Sequence, residues 1–139
     1  MNSILATQNG STSGCLDFES LKTRCLGRVD LVQRLLEKFN STVDGDISLL
    51  EQAVTVRDWP RAASLAHRIR GSSLSVSAIP LAECSYEVER SALTMASVDA
   101  PQRDDDCLML EVLIAELRME YQAVCDASDA IAKGANRGQ

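Results

Sequence analysis

From Asp30 onward the apolar residues of this chain keep one helical phase: Val32, Leu35, Leu36, Phe39, Val43, Ile47, Leu50 and Val54 recur every three or four positions. That spacing gathers them on one side of a helix and leaves the other side polar. The polar run from Ser41 to Asp46, with Gly45 inside it, does not disturb the phase. One helix is therefore expected to about Arg57, with Gly45 costing it roughly 1 kcal/mol relative to Ala.

Three more stripes follow. Asp58-Trp59-Pro60 reads as a turn, with Asp58 as N-cap, Pro60 in the first turn of the next helix and the Trp59 ring buried at the corner. Ala62, Leu65, Ala66, Ile69, Ser73 and Val76 then form a stripe ending near Val76. Ser77-Ala78-Ile79-Pro80 opens another helix, Ser77 being able to cap it, with Leu81, Cys84, Val88, Ala92 and Met95 facing inward. Glu83, Glu87, Glu89 and Arg90 read as its solvated face. Residues 96–103, with Pro101, read as a loop. Asp104, Asp105 and Asp106 open the last helix, where negative charge complements the N-terminal dipole, and are not read as a metal site. Its stripe is Leu110, Leu113, Ile114, Leu117, Tyr121 and Val124.

A short amphipathic helix is expected from Asp17 to Leu26, through Phe18, Leu21 and Cys25, stopped by Gly27 and lidding one end. Residues 1–14 read as a flexible polar arm, 15–127 as the folded unit and 128–139 as a frayed tail. The expected fold is all-α: an antiparallel up-down four-helix bundle with a short extra N-terminal helix. With 45% hydrophobic but only 4% aromatic residues, its core must be packed by Leu, Val, Ile and Ala.

The net charge of −6 argues against nucleic acid or an anionic membrane as partner. Five cysteines without a C-x-x-C spacing read as reduced small hydrophobes. No segment approaches about 18 consecutive apolar residues and the N-terminus lacks a signal pattern, so the expected location is cytoplasmic. No exposed heptad stripe asks for a dimer, and a monomer is expected.

His67 is the only histidine. At about 100° per residue it projects about 140° from the centre of its helix's apolar stripe. Ala63, Arg70, Gly71 and Leu74 share its flank. A lone histidine is most often an ordinary surface or core residue. Zinc would need three or four ligands, and no second histidine exists. Nothing signals the orienting partner and pocket that activation of a Cys or Ser nucleophile requires. A solvent-facing neutral imidazole beside an arginine does suit phosphoryl acceptance: it has a free ring nitrogen at neutral pH, and Arg70 can pair with phosphoryl oxygens. Arg57, Arg61, Arg68 and Arg70, opposed only by Asp58, form a local basic patch that suits an acidic partner.

The run Ala66-His67-Arg68-Ile69-Arg70-Gly71-Ser72, with Asp58-Trp59 and Leu65 before it and Ala78, Leu81 and Val88-Glu89 after it, resembles the histidine-containing phosphotransfer (HPt) domain of multistep phosphorelays. The family pattern is roughly Gly-Asp-Trp, a short gap, then Ala-His-x-Leu-Lys-Gly-Ser. Leu35-Leu36, Phe39, Leu50 and Ala53 match its first long helix, and Leu16-Asp17 through Gly27 its short leading helix, so the resemblance covers about residues 16–125. Three positions depart from it: Arg70 stands where Lys is usual, Leu74 where Gly or Ala is usual, and Ser77 where Gly is usual. Arg70 keeps the charge but presents a planar fork. Leu74 either narrows the clearance for a docking partner or supplies an apolar anchor that selects one.

The resemblance implies a four-helix bundle and a phosphocarrier in which His67 accepts the phosphoryl group, Arg70 contacts it, Gly71 leaves room for approach, and Arg68, Leu74, Ala63 and Ser64 line the docking surface. It implies response-regulator receiver domains and a hybrid sensor histidine kinase as partners. It implies no metal or other cofactor on this chain, Mg²⁺ belonging to the receiver. Nothing resembles the phosphate loop G-x-x-x-x-G-K-[ST], so autokinase activity is not expected. The alternatives are a non-catalytic adaptor that binds or sequesters a receiver or kinase, and a purely structural bundle.

Overall fold

The computed structural model describes residues 14–97 and 104–137, which form five helices and, among the described residues, no strand. They are α1 (Phe18–Arg24), α2 (Val29–Thr55), α3 (Trp59–Ser75), α4 (Ile79–Ala96) and α5 (Asp104–Arg137). Each long helix packs on two others, α2 and α4 both lying between α3 and α5. The result is the expected antiparallel bundle, and Gly45 sits inside an unbroken α2. The expected arm 1–14 falls, but for Gly14, outside the described residues, as does 98–103 of the expected loop.

The stripes meet in one core. Val32, Leu36, Val43, Ile47 and Leu50 of α2, Ile69 of α3, Leu81 and Val88 of α4 and Leu110 and Leu117 of α5 are fully buried. Each such side chain contributes about 1.5–3 kcal/mol relative to exposure. Leu35, in phase with the α2 stripe, is nonetheless exposed, because only about a third of a helix's circumference faces the core. Trp59 is buried at the corner, and Asp58 accepts a hydrogen bond from the Arg61 backbone N–H at 3.2 Å. Helix α1 closes the end of the bundle that holds the α3–α4 turn: Leu16 and Leu21 are buried, Asp17 N–H donates to the Ser77 carbonyl at 3.0 Å, and Arg24 Nη2 donates to the Ser75 carbonyl at 2.7 Å.

Helices α1, α2 and α3 end alike. The residue after each C-cap is left-handed, Leu26 at φ 58°, Arg57 at φ 59° and Ser77 at φ 61°. The next N–H reaches back five residues: Gly27 to Lys22, Asp58 to Ala53 and Ala78 to Ser73, all at 2.8–2.9 Å. This is the Schellman termination, achieved three times without glycine at its left-handed position. Gly27 stops α1 as expected: it is left-handed at φ 76°, next to Leu26, and its N–H closes the bond to Lys22. One expectation is corrected. Ser77 does not cap α4; Ala78 is the N-cap, without a side-chain bond, and the Ser77 hydroxyl accepts from Arg24 Nη2 at 2.8 Å.

A second correction concerns the C-terminus. Residues 128–137 continue α5 instead of fraying, so the helix spans 34 residues, about 51 Å at 1.5 Å per residue. Ile131 packs against the core and Ser128 Oγ accepts from Asn40 Nδ2 at 3.3 Å. The apolar spacing thins there, but α2 still offers a partner. No helix is long and apolar enough to cross a membrane among the described residues.

Candidate functional site

Small residues bring α3 and α4 together. Ala62, Ala63, Ala66 and Ser73 of α3 and Ala82, Ser85 and Ala92 of α4 are buried, which lets the two axes approach. The three-residue connection 76–78 makes the pair antiparallel, so three residues forward along α3 correspond to three back along α4. Two side-chain pairs lie in that register. His67 meets Glu89, and one helical turn away Arg70 meets Tyr86.

His67 is the exposed histidine that the periodicity predicts, its side chain 69% accessible, while Glu89 is only 17% accessible. Nδ1 of the imidazole lies 3.0 Å from Glu89 Oε2. A carboxylate can only accept here, so Nδ1 carries the proton and the lone pair of the neutral ring resides on Nε2, directed away from this contact. Glu89 was expected on the solvated face; the structure instead turns it toward α3. It directly follows the buried Val88, at the edge of the α4 stripe, where a side chain reaches the neighbouring helix. Its Oε1 is buried with no hydrogen-bond partner among the described residues. Such a carboxylate is a poor way to gain stability.

The cations around His67 divide into two kinds. Arg68 was expected on the docking surface, but it forms a two-pronged ion pair with Asp46 of α2, Nη2 to Oδ1 at 2.7 Å and Nε to Oδ2 at 3.2 Å. Asp46 is buried, and its carboxylate, by hydrogen bond first and charge second, makes the Arg68 guanidinium hold its proton more firmly than usual. Arg57 pairs more loosely with Asp104 at 3.6 Å. The guanidinium groups of Arg70 and Arg90, by contrast, form no hydrogen bond or ion pair with a described residue. Their guanidinium carbons lie 4.9 and 5.8 Å from the centroid of the Tyr86 ring.

Gly71 and Ser64 are exposed, and a Cβ added at Gly71 would meet nothing within 4 Å. Internal packing therefore does not require glycine there. Leu74 is exposed, one turn beyond Arg70. Ala63 is buried, which corrects its place on the accessible flank: it packs between helices and leaves no surface to dock. On the other side of Tyr86 an acidic groove runs between α4 and α5, lined by Glu83, Glu87, Glu116, Glu120 and Cys84. Burial, reinforced by those carboxylates, pushes the Cys84 thiol up from its ordinary value. No group of three or more His, Cys, Asp or Glu side chains arranged to hold a metal ion occurs among the described residues.

Of the expected site residues, His67, Arg70, Gly71, Leu74 and Ser64 share the accessible face, and Arg68 and Ala63 are engaged elsewhere. Glu89 and Tyr86 were missed as site residues. Their only signal was distributive: Tyr86, 16 residues beyond Arg70, and Glu89, 22 beyond His67, come to face those residues once the length of the α3–α4 turn is known.

Residues 34–127 match the model of the Hpt domain. The sensor histidine kinase AruS of Pseudomonas aeruginosa is 36% identical over 91 residues, which are 64% of this chain and 9% of that protein. The virulence sensor protein BvgS of Bordetella bronchiseptica is 25% identical over 113 residues, 81% of this chain and 9% of that protein. The chain thus corresponds to a small part of each relative. No solved structure gives a significant match. With the family match extending over most of the bundle and across both helices that carry the imidazole and its carboxylate, the chain belongs to the Hpt domain family.

Proposed function

We propose that this chain is the histidine phosphotransfer component of a two-component phosphorelay, with His67 Nε2 as the reversible phosphoryl acceptor. The observation that carries the reading is the 3.0 Å contact between Nδ1 and Glu89, because it leaves Nε2 as the nucleophilic nitrogen on an exposed side chain. In the reaction the Nε2 lone pair attacks the phosphorus of a receiver domain's aspartyl phosphate. The N–P bond forms as the P–O bond breaks, and the aspartate leaves as a carboxylate. The ring gains positive charge during attack, and Glu89 opposes that charge through the Nδ1–H bond, as a carboxylate does for a catalytic imidazole elsewhere. Arg70 neutralises phosphoryl oxygens.

Phosphoryl transfer needs little beyond alignment and charge neutralisation, so a bundle without a nucleotide site can perform its half of it. Mg²⁺ and the acidic pocket belong to the receiver in this reading, and the chain needs no cofactor and no autokinase activity. The partners are receiver domains and a hybrid sensor histidine kinase, in keeping with the sensor kinases among the relatives. The paired groups all lie in one chain, so a monomer in the cytoplasm suffices.

The test is label transfer from a panel of phosphorylated receiver domains to the purified chain, with His67→Gln beside it. Acid-labile, base-stable label on the wild type and none on His67→Gln is the expected result. Tight receiver binding by both proteins without label would replace the phosphocarrier with a sequestering adaptor, for which the exposed Leu74 would be the anchor to remove next.

A further inference from the structure

Arg70 is the cation one turn from the imidazole, yet no carboxylate among the described residues holds it. A guanidinium on a flexible stem spends most of its time away from any one position, and side-chain entropy opposes fixing it. Here the face of Tyr86 is within cation–π distance of it, at 4.9 Å, and Arg90, one turn along α4, approaches the same ring at 5.8 Å. Tyr86 is partly exposed and the ring lies on the rung next to His67–Glu89. Stacking leaves the N–H edge of a guanidinium free, whereas an ion pair such as Arg68–Asp46 consumes it.

We propose that Tyr86 is a positioning residue: its ring holds the Arg70 guanidinium beside His67 with its N–H donors uncommitted, ready for the oxygens of an incoming phosphoryl group. The inference rests on the phosphocarrier reading and deepens it, by making the cation's effect depend on an aromatic platform in the next helix. It also accounts for arginine at a position where the family resemblance leads one to expect lysine. A planar guanidinium stacks on a ring and still presents a fork to phosphate, while an ammonium is a compact, strongly hydrated point charge. Arg90 on the same ring adds a second positive charge, so an anion arriving there relieves the repulsion between two cations that share one platform.

The experiment uses phosphoramidate, a small donor that needs no docking surface, and follows loading of His67 in the full chain. Transfer breaks the donor's P–N bond, releases ammonia and forms the N–P bond at Nε2. Wild type, Tyr86→Phe, Tyr86→Leu and Arg70→Lys are compared, with Arg70→Lys also made in the Tyr86→Leu background. Tyr86→Phe keeps the ring and should load within about twofold of wild type, whereas Tyr86→Leu should load about tenfold more slowly with an unchanged thermal midpoint. Arg70→Lys should slow the wild type severalfold but cost little once the ring is gone, because the two residues act through one contact. In the unphosphorylated protein, ring-current displacement of the Arg70 side-chain resonances should be present with Tyr or Phe and absent with Leu.

Equal loading of Tyr86→Leu and wild type overturns the inference while leaving the phosphocarrier intact. So does an Arg70→Lys cost that is the same in both backgrounds, or the absence of a ring-current displacement in the wild type. Failure of the wild type to load from phosphoramidate or from any receiver overturns the phosphocarrier reading and this role with it.

Discussion

In the phosphocarrier reading, a single hydrogen bond at Glu89 decides which nitrogen of His67 is offered to an electrophile. Geometry and charge can be separated there. Glu89→Gln retains an oxygen that accepts the Nδ1–H bond but removes the negative charge, while Glu89→Leu removes both. Transfer to His67 should slow by about threefold to tenfold in the first and by about tenfold to a hundredfold in the second, the range spanned by ordinary general-base and orienting contributions. Nitrogen-15 shifts of the His67 ring should keep the Nδ1–H tautomer in Glu89→Gln and become averaged in Glu89→Leu. The exposure of His67 was legible in the sequence because one helix's periodicity determines it. The engagement of Glu89 and of Arg68 was not, because a position at the edge of a stripe faces either water or a neighbour according to where the neighbour stands. Glu89 reads as solvent-facing on charge, and Arg68 as a docking residue on charge and resemblance; helices α3 and α2 respectively supply the partners that charge was seeking.

At the scale of elements, the boundaries were legible to within a few residues wherever polar caps and prolines mark them, as at Asp58-Trp59-Pro60. The terminations were less so. A sequence reader looks for glycine at a left-handed position, and Leu26, Arg57 and Ser77 carry side chains there. Tertiary packing holds these turns against the local preference, since each is followed within a few residues by the next helix. Arg57→Gly should therefore raise stability by up to about 1 kcal/mol in denaturant unfolding, the exposed ion pair to Asp104 being worth little. Ser77→Gly should gain less, because its hydroxyl accepts from Arg24 and helps to fasten α1 over the bundle end. The glycine usual in the family at that position thus has a backbone explanation, and the serine a local compensation.

Across the whole molecule, the core was legible because four stripes of one period have essentially one way to cover one another. What the stripes did not disclose is where polar groups are desolvated between them. Cys84 of α4 and Cys125 and Tyr121 of α5 are all held above their ordinary values, burial being the leading cause in each, and Tyr121 donates its hydroxyl proton to the Asn40 carbonyl at 2.6 Å. A raised value means that the folded protein binds the proton more tightly than the unfolded chain. That contribution is complete below the unfolded values, 9.0 for the thiols and 10.0 for the phenol, and is lost as pH climbs past them. The thermal midpoint should accordingly fall above about pH 9, and Cys84→Ala combined with Cys125→Ala should blunt the first part of the fall.

The neighbours Arg68 and His67 are fastened in different directions, one to α2 and the other to α4. Successive residues of a helix stand about 100° apart, so the two attachments act on α3 like guy ropes on a mast and oppose any roll about its own axis. Such a mast resists turning when its load changes. If His67 carries a phosphoryl group, a partner reading the loaded chain would meet much the same contour with a different charge, and its discrimination would be largely electrostatic: an anion on a braced post.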